Sequence, residues 1–519
     1  MSLRYVSEAI RRSRCEGFIP KQSHRSERLL RRFTPRNDTS CQMEENDLIV
    51  ERKKKLVELK EFGIEPYGRK FIRTHKIAEI KEDISGKVKV AGRIVALRGH
   101  GKASFADLKD ASGKIQLYFK NDVLGDEKYK IFKKTDIGDF LGVEGPTFRT
   151  KMGELSIRVE DFKVLAKSLR PLPEKWHGLK DVELRYRKRY LDLIANEKVS
   201  KIFQQRSQLI RKMRKFLEER DFLEVETPMM QELPGGAKAR PFLTHHQALD
   251  ADLYLRIAPE LYLKRLLVGG FEKVYEINKS FRNEGIDTLH NPEFTMLETY
   301  TAYSDYEEMM EMTENLITFL SREILKKEEI EYQGQKINLK SPWTRMSLEE
   351  SLKKYCSLED FSNLEKMRKI AQGLDLELTG KESGFEIGDN IFEKKVQPGL
   401  TSPTFILDYP INTSPLAKNK PAHPEIAERF ELFIAGLEIA NAYSELNDPG
   451  EQRRRFENEV KEKREGIERG VDEDYLEALE YGMPPAGGLG IGIDRLVMLF
   501  TNSSSIREVI LFPQLRPEQ

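Results

Sequence analysis

At 519 residues the chain is long enough for two or three domains and a sizeable buried core. Its 39% hydrophobic and 33% charged residues describe a charge-rich globular protein, and it has no apolar run of about 18 residues to span a bilayer. The three cysteines, Cys15, Cys41 and Cys356, are scattered without a CxxC pair; they support neither a disulfide framework nor a zinc site, and they fit a reducing cytoplasm.

The formal net charge of +1 hides an asymmetry. Residues 1–42 carry ten Lys and Arg against four acids, a surplus of six that leaves the remainder near −5. The body is therefore no bulk polyanion binder, and any RNA has to be held by a local basic groove and base contacts. The Arg- and Ser-rich segment 1–42 lacks a signal-peptide core. It reads as a disordered basic tail or targeting leader, or as untranslated sequence ahead of an internal start at Met43.

From Asp47 to Phe62 leucines and valines recur at near-helical spacing, and Gly63 and Pro66 follow as a stop, which predicts an amphipathic helix within 43–66. Lys53, Lys54 and Lys55 on it suit either packing on the next domain or contact with RNA. Between about 88 and 164 the pattern changes to KVKVAGRIVALR, ASFADLKD, KIQLYFK, FLGVEGPTFRT and ELSIRVEDFKVL, alternating apolar and polar residues between Gly, Asp and Ser turns. Five such strands with aromatics on one phase predict an OB-fold barrel over 67–168, whose aromatics either stack single-stranded bases or fill the core. A proline-bearing linker, 169–190, leads to the basic run RYRKRYLDL, which suits a solvated helix start or an RNA backbone contact.

The remaining segment, 191–519, opens on a helix whose Ile202, Phe203, Leu209, Ile210, Met213, Phe216 and Leu217 form one stripe, followed by a strand, FLEVETPMM, stopped at Pro228. Gly235 and Gly236 allow close backbone approach to a small ligand, and Glu260 stands at a helix start, as a cap or a ligand. His245 and His246 are adjacent in a strand and point to opposite faces, which makes a shared metal improbable. VYEINKSFRNEGIDTLHNPEFTMLETY, Val274 to Tyr300, reads as two strands around a long charged turn. There Arg282 can present a planar fork to a phosphate, Glu284 can accept from an exocyclic amine, His290 can donate to an outer phosphate, and Phe294 can face a purine.

Helices are predicted at about Tyr306 to Lys327 and Leu348 to Gly373. In ERFELFIAGLEIANAYSELNDP, Glu431, Glu438 and Glu445 recur every seven residues, but the run between them is too apolar for an exposed helix and reads as buried strand and turn. Buried carboxylates need cations, and hard oxygen ligands imply magnesium. GGLGIGIDRLVMLF, 487–500, is a glycine-rich strand passing into an apolar helix, a weak phosphate-binding signal without the Gly-Lys-Ser/Thr of a P-loop.

FRNEG, HNPEFT and ExY in one stretch resemble motif 2 (about 274–300) of the class II aminoacyl-tRNA synthetases. Helix, strand and proline over about 206–230 resemble motif 1, GGLGIGIDR over about 487–500 resembles motif 3, and VxGRI, SFADLxD and IQLY resemble the anticodon-binding barrel of class IIb members. The resemblance runs from about Met43 to Arg516 and is closest to the lysine-specific form. It implies an α+β chain: an N-terminal OB-fold barrel, then a catalytic domain built on an antiparallel sheet flanked by helices, dimerising with a second copy through motif 1.

The same resemblance makes Arg282, Glu284 and Arg495 catalytic, with His290, Asn291, Phe294 and Glu438 also on ATP. It gives L-lysine to Gly236, Glu260, Glu298, Tyr300, Asn441, Tyr443 and Glu445, magnesium to Glu431 and Glu438, and the anticodon of tRNA(Lys) to Phe105, Gln116 and Glu154. A cationic side chain needs acids with little competing positive charge, and Glu298 with Tyr300, plus Glu445, suits an ammonium. The implied activity is ATP-dependent ligation of lysine to the 3′ end of tRNA(Lys) through a lysyl-adenylate, in the cytoplasm and away from membranes. Two rivals are a lysine-activating paralogue that modifies a protein, which lacks the barrel, and an inactive RNA-binding relative, which does not need these acids and arginines. Intact-mass measurement of the native protein is expected to give a chain starting at Met43; a mass that includes Met1 overturns that start.

Overall fold

The computed structural model describes residues 39–518 except 82–83, 174–178, 238, 359–362, 379, 381 and 462–469. Residues 1–38 of the expected leader and the middle of the linker thus lie outside the described residues. The chain divides between Leu172 and Pro173 into two compact units. No helix among the described residues is long and apolar enough to cross a membrane.

In the first unit a helix spans Thr39–Glu61, starting ahead of the apolar repeat. Leu59 is buried, Arg52 donates to the carbonyls of Ser168 (3.1 Å) and Arg170 (2.9 Å), and Lys55 pairs with Asp136 at 2.7 Å. Lys55 is thus spent on packing, while Lys53 and Lys54 face solvent. The barrel strands are β1 (Lys87–His100), β2 (Ala103–Lys109), β3 (Lys114–Lys120), β4 (Phe140–Arg149), β5 (Leu155–Arg158) and β6 (Asp161–Ala166), in the order β1-β2-β3-β5-β4-β6, closed by β1 against β4. The expected fifth strand is therefore two. At the break the Val159 amide donates to the Tyr118 carbonyl and the Glu160 amide to the Glu144 carbonyl, so the chain changes partner from β3 to β4.

In the second unit β7 (Leu223–Glu224) is followed by a small sheet of β8 (Met230–Gln231), β9 (Phe242–His246) and β10 (Ala251–Leu255). Then come β11 (Lys273–Phe281), β12 (Glu293–Ala302), a hairpin of β13 (Glu329–Tyr332) and β14 (Gln335–Asn338), β15 (Thr344–Ser347), β16 (Thr404–Leu407), a hairpin of β17 (Asn419–Lys420) and β18 (His423–Ala427), β19 (Arg429–Ile434), β20 (Leu437–Ser444) and β21 (Ala486–Gly492). The main sheet runs β15-β16-β19-β20-β21-β12-β11-β7. It is antiparallel through its centre and parallel at both edges, β15 with β16 and β7 with β11, a mixed sheet where an antiparallel one was expected.

Alternation along β11 sends Val274 and Tyr275 to opposite faces, and each face has its own core. Tyr275 joins the core formed with the helices Glu197–Glu218, Tyr306–Leu320 and Ile493–Thr501, and Val274 joins that formed with Glu260–Val268 and Glu473–Glu480. The motif 1 stripe therefore does not wait for a partner, because Leu209, Met213, Phe216 and Leu217 are buried in this chain's own core. After it several apolar side chains lie in solvent, Leu223, Met229, Met230 and Leu233, then Leu243 and Leu249 on the small sheet, as others do elsewhere on the unit, among them Tyr481 and Phe512. The helix expected over 348–373 is interrupted: one helix ends at Cys356, where Ser357 turns left-handed (φ 54°), and another begins at Leu364.

The basic run after the linker forms the helices Val182–Arg187 and Arg189–Ala195. Arg189 is buried, pairs with Asp192 at 2.7 Å, and donates to the carbonyls of Leu511 (3.0 Å) and Arg507 (2.6 Å), fastening the C-terminal tail. Arg189→Ala leaves the buried Asp192 carboxylate with Arg185 (2.9 Å) and Asn196 (2.6 Å) but unfastens the tail carbonyls, and is expected to cost about 2–3 kcal/mol, read as a lower denaturant midpoint of the catalytic unit, while Lys188→Ala, in solvent, changes it by less than about 0.5 kcal/mol.

Candidate active site

A cavity of about 960 Å³ opens in the second unit, and every residue expected on ATP, magnesium or lysine lines it. The frame is set by Asp494, which is buried: one carboxylate oxygen accepts from Arg206 Nη1 at 2.5 Å and the other from the Thr295 amide at 2.7 Å. Arg206 Nη2 also donates to Thr295 Oγ1 at 3.0 Å. One carboxylate thus joins the motif 1 helix, β12 and the helix that begins at Ile493.

At one end the β11–β12 hairpin brings Arg282 beside Phe294, with the guanidinium carbon 5.0 Å from the ring centroid. Arg282 lines the cavity, and its buried Nε has no hydrogen-bond partner among the described residues. Arg495 donates to the Glu438 carboxylate at 3.0 Å, and its other nitrogen lies 3.2 Å from His290 Nε2. With Arg495 as donor there, His290 carries its proton on Nδ1, 2.8 Å from Asp287 Oδ2. Glu284 is exposed at the rim. The Asn291 amide is held by the frame, donating to the Glu293 carbonyl (2.6 Å) and accepting from the Gln514 amide (3.1 Å).

Glu431 faces Asn441 across the β19–β20 pair. It accepts from the Tyr409 hydroxyl at 2.8 Å and pairs with Arg429, whose guanidinium lies between the rings of Tyr409 (4.5 Å) and Tyr443 (5.4 Å). Burial pushes the Glu431 carboxyl above the usual range, Arg429 opposes this, and Glu438 reinforces it. Two carboxylates on one wall, each paired with an arginine (Glu431 with Arg429, Glu438 with Arg495), form a hard oxygen donor set of the kind that holds magnesium with nucleotide phosphates. Among the described residues no group of three or more His, Cys, Asp or Glu is arranged for a metal ion. His245 instead bonds Asp252 at 2.7 Å.

At the other end the central strand β21 lies between β12 and β20. Gly488 is in register with Tyr300 on one side and Tyr443 on the other, and Gly490 with Glu298 and Asn441. These glycines sink a trough between two rows of pocket side chains, a different use from the phosphate cradle that a Gly-rich run suggests. A Cβ on Gly488 would lie 1.9 Å from Glu445 Oε1 and 2.6 Å from the Tyr300 ring. Gly236, at φ +84°, lets the chain pass Glu260, whose Cβ lies 3.0 Å from where a side chain would start.

Glu298 is buried, with the Tyr300 hydroxyl 3.4 Å away. Burial pushes its carboxyl up to about 8, Glu260 and Glu276 add to this, and Arg256 and Arg282 oppose it. Arg256 is itself bound to Glu276 at 2.7 Å. The expectation of little competing positive charge needs correction at Glu445, whose carboxylate is paired with the buried Lys264, which also bonds Glu260 at 2.6 Å. Lys264 and Arg429 were both missed in the sequence, although each carries a positional signal: Lys264 is one helical turn beyond Glu260, and Arg429 is two residues before Glu431 on the same strand face.

The barrel carries its own candidate surface. Phe105 is half-buried, with Tyr118 at 4.9 Å between ring centroids and Phe148 a further 5.9 Å from Tyr118. Gln116 donates to the exposed Glu154 at 2.9 Å and accepts from Ser156 at 3.0 Å, so the two residues expected to read base edges hold each other. Tyr118 and Phe148 extend the aromatic row beyond the one ring that the sequence singled out.

A family model described as tRNA synthetases class II (D, K and N) matches residues 181–516, and one described as OB-fold nucleic acid binding domain matches 88–165. Similar proteins include the lysine–tRNA ligase of Pelotomaculum thermopropionicum, 57% identical over 485 residues that cover 91% of this chain and 96% of that protein. That of Carboxydothermus hydrogenoformans is 56% identical over 480 residues (91% and 98%), and that of Bacillus cytotoxicus 50% over 489 (91% and 98%). The chain belongs to the class II tRNA synthetases, within their lysine-specific branch of bacterial type.

Because the Glu298 carboxyl lies at about 8, its carboxylate can receive an ammonium at neutral pH only by losing a proton. Lysine added as a probe at pH about 7 is expected to bind with proton release, measured by calorimetry in buffers of different ionisation enthalpy, and to tighten as pH rises toward about 8. Glu298→Gln is expected to reduce both effects; binding with neither in the unaltered protein overturns the role of Glu298.

Proposed function

We propose that the chain activates L-lysine with ATP to form lysyl-adenylate and pyrophosphate, then transfers the lysyl group to the 3′ end of tRNA(Lys) with release of AMP. The observation that carries this reading is the meeting, in one cavity, of an arginine whose buried Nε has no partner, Arg282 beside Phe294, with the buried acid Glu298, which burial and neighbouring acids hold largely protonated. A nucleotide satisfies the first, and a cationic amino acid satisfies the second.

In the first step the lysine carboxylate attacks the α-phosphorus, and no side-chain nucleophile is required. Catalysis then rests on holding the reactants in line and on fixed donors placed where charge builds up. Arg282 grips the α-phosphate, Phe294 stacks on the adenine, Glu284 accepts from its amine, and Arg495 with His290 takes the outer phosphates. Glu431 and Glu438 would hold magnesium, which would supply positive charge against the nucleotide phosphates. Glu298 and Tyr300, with Glu445, receive the side-chain ammonium, while Gly236, Glu260, Asn441 and Tyr443 complete the amino-acid pocket. On the barrel, Phe105, Gln116 and Glu154 receive the anticodon, a role that the nucleic-acid-binding description of the family matching 88–165 favours.

We assign the active form as a homodimer working in the cytoplasm. Supporting the dimer is the run of exposed apolar side chains after the motif 1 helix, Met229, Met230 and Leu233, with Leu243 and Leu249 on the adjoining small sheet. Supporting the compartment are three cysteines with no disulfide spacing.

Pyrophosphate exchange stimulated by each amino acid in turn, followed by charging of total tRNA, tests the function: lysine alone is expected to drive exchange strongly, and tRNA(Lys) to be charged. Arg282→Ala is expected to lower exchange by roughly 10²–10³-fold. Phe105→Ala is expected to leave exchange intact and weaken only charging, by the ~1–3 kcal/mol that one stacked base contributes. Folded variants that lose both activities equally would overturn this division of labour.

A further inference from the structure

Lys264 lies on the Glu260–Val268 helix and is fully buried. It does not line the cavity, but the two carboxylates it touches do: Glu260, 2.6 Å away and one turn earlier on the same helix, and Glu445, just past the end of β20. Glu445 is also fully buried, and apart from this ion pair neither of its oxygens has a hydrogen-bond partner. On its other side the carboxylate is pressed against the Gly488 backbone, where even a methyl group would collide. Burying a lysine is costly unless carboxylates surround it, and removing it leaves those carboxylates exposed to the same cost. An internal ammonium thus stands behind two acids that face the ligand, out of the ligand's reach.

We propose that Lys264 is a specificity-determining positioning residue, a built-in counter-cation that holds Glu260 and Glu445 at a fixed spacing and so sets the length of diamino acid the pocket accepts. The proposal rests on the lysine-binding reading of the pocket. Lysine and ornithine carry the same charges and differ by one methylene, so only a pocket whose acids are fixed in place can separate them strongly; a methylene of contact by itself is worth about 10–200-fold.

The charge balance agrees. Burial alone would depress the Lys264 ammonium, yet Glu260 and Glu445 raise it well above its ordinary value, so it stays charged. Burial pushes the Glu445 carboxyl up, and Lys264 is the first influence opposing this. Among the described residues, the other groups that act strongly on Glu445 or feel it include Glu260, Lys418, Tyr300, Tyr443 and Tyr475, of which Lys418 is a cation. Without Lys264 the Glu445 carboxyl, already pushed up by burial, is expected to rise further and to hold an ammonium less well at neutral pH.

The test is pyrophosphate exchange with lysine and with ornithine across pH about 6.5 to 9, for the unaltered enzyme, Lys264→Met and Lys264→Arg. In Lys264→Met the KM for lysine is expected to rise about tenfold or more while the KM for ATP stays within about twofold. The acid limb of kcat/KM for lysine is expected to move to higher pH, and the preference for lysine over ornithine to fall about tenfold. An Lys264→Met enzyme with an unchanged pH profile and unchanged preference overturns the proposal, as does a uniform loss for both amino acids and ATP, which marks a merely structural role. Should Lys264→Met not fold, Lys264→Arg decides: charge kept but displaced predicts weaker lysine preference with the pH profile unmoved, and an unaltered preference overturns it. If the unaltered enzyme shows no lysine-dependent exchange, it is the reading of the pocket that has failed, not the role of Lys264.

Discussion

A single buried carboxylate holds the catalytic unit in register. Asp494 accepts from Arg206 and from the Thr295 amide, and in doing so it joins a helix, a central strand and the helix that follows β21, segments drawn from positions 206, 295 and 494. The arrangement is stable because both oxygens of the carboxylate are used and the arginine is satisfied in turn by Thr295 and the Val509 carbonyl. The residue next to this junction, Arg495, reaches the cavity, so the frame and the charged wall are separated by one peptide bond.

From that frame the pocket takes its electrostatic character. Several acids near the ligand space are matched to different degrees: Glu276 by Arg256, Glu431 by Arg429, Glu445 and Glu260 by Lys264. Glu298 is the poorly matched case, since the arginines that influence it do so from a distance. A pocket that neutralised every acid would have no reason to bind a cation, and one that neutralised none would take up protons instead. The glycines of β21 complete the arrangement by removing side chains from the middle of the sheet, so that Tyr300, Tyr443, Glu298 and Asn441 stand along the edges of a trough.

Local signals were legible. The β11–β12 hairpin, the barrel strands and the glycine strand with its helix follow from periodicity and turn chemistry within a few tens of residues. Because Arg282, Phe294, Glu298 and Tyr300 all belong to one hairpin, their shared address could be read from their spacing. That Glu431 and Glu438 share a wall of the cavity was legible for a related reason, since apolar neighbours mark the run as strand, but the arginine paired with each was not. The motif 1 stripe gave its periodicity but not its direction, since an apolar face looks the same whether it meets its own core or another subunit. The split between β5 and β6 was hidden because alternation continues across Val159 and Glu160 while the hydrogen-bond partner changes.

The amino-acid sequence by itself determined the order of elements, the barrel followed by a helix-flanked sheet, and the set of acids and arginines available for chemistry, because these depend on neighbours along the chain. Only the tertiary structure decided which charges are spent on the frame and which face the ligand space. Lys264, Arg429 and Arg189 look alike as letters, each a cation in a mixed run, yet one stands behind the pocket, one lies between two tyrosines and one fastens the tail. The reason is that the cost of burying a charge is met by partners distant in sequence, and those partners exist only once the chain has folded.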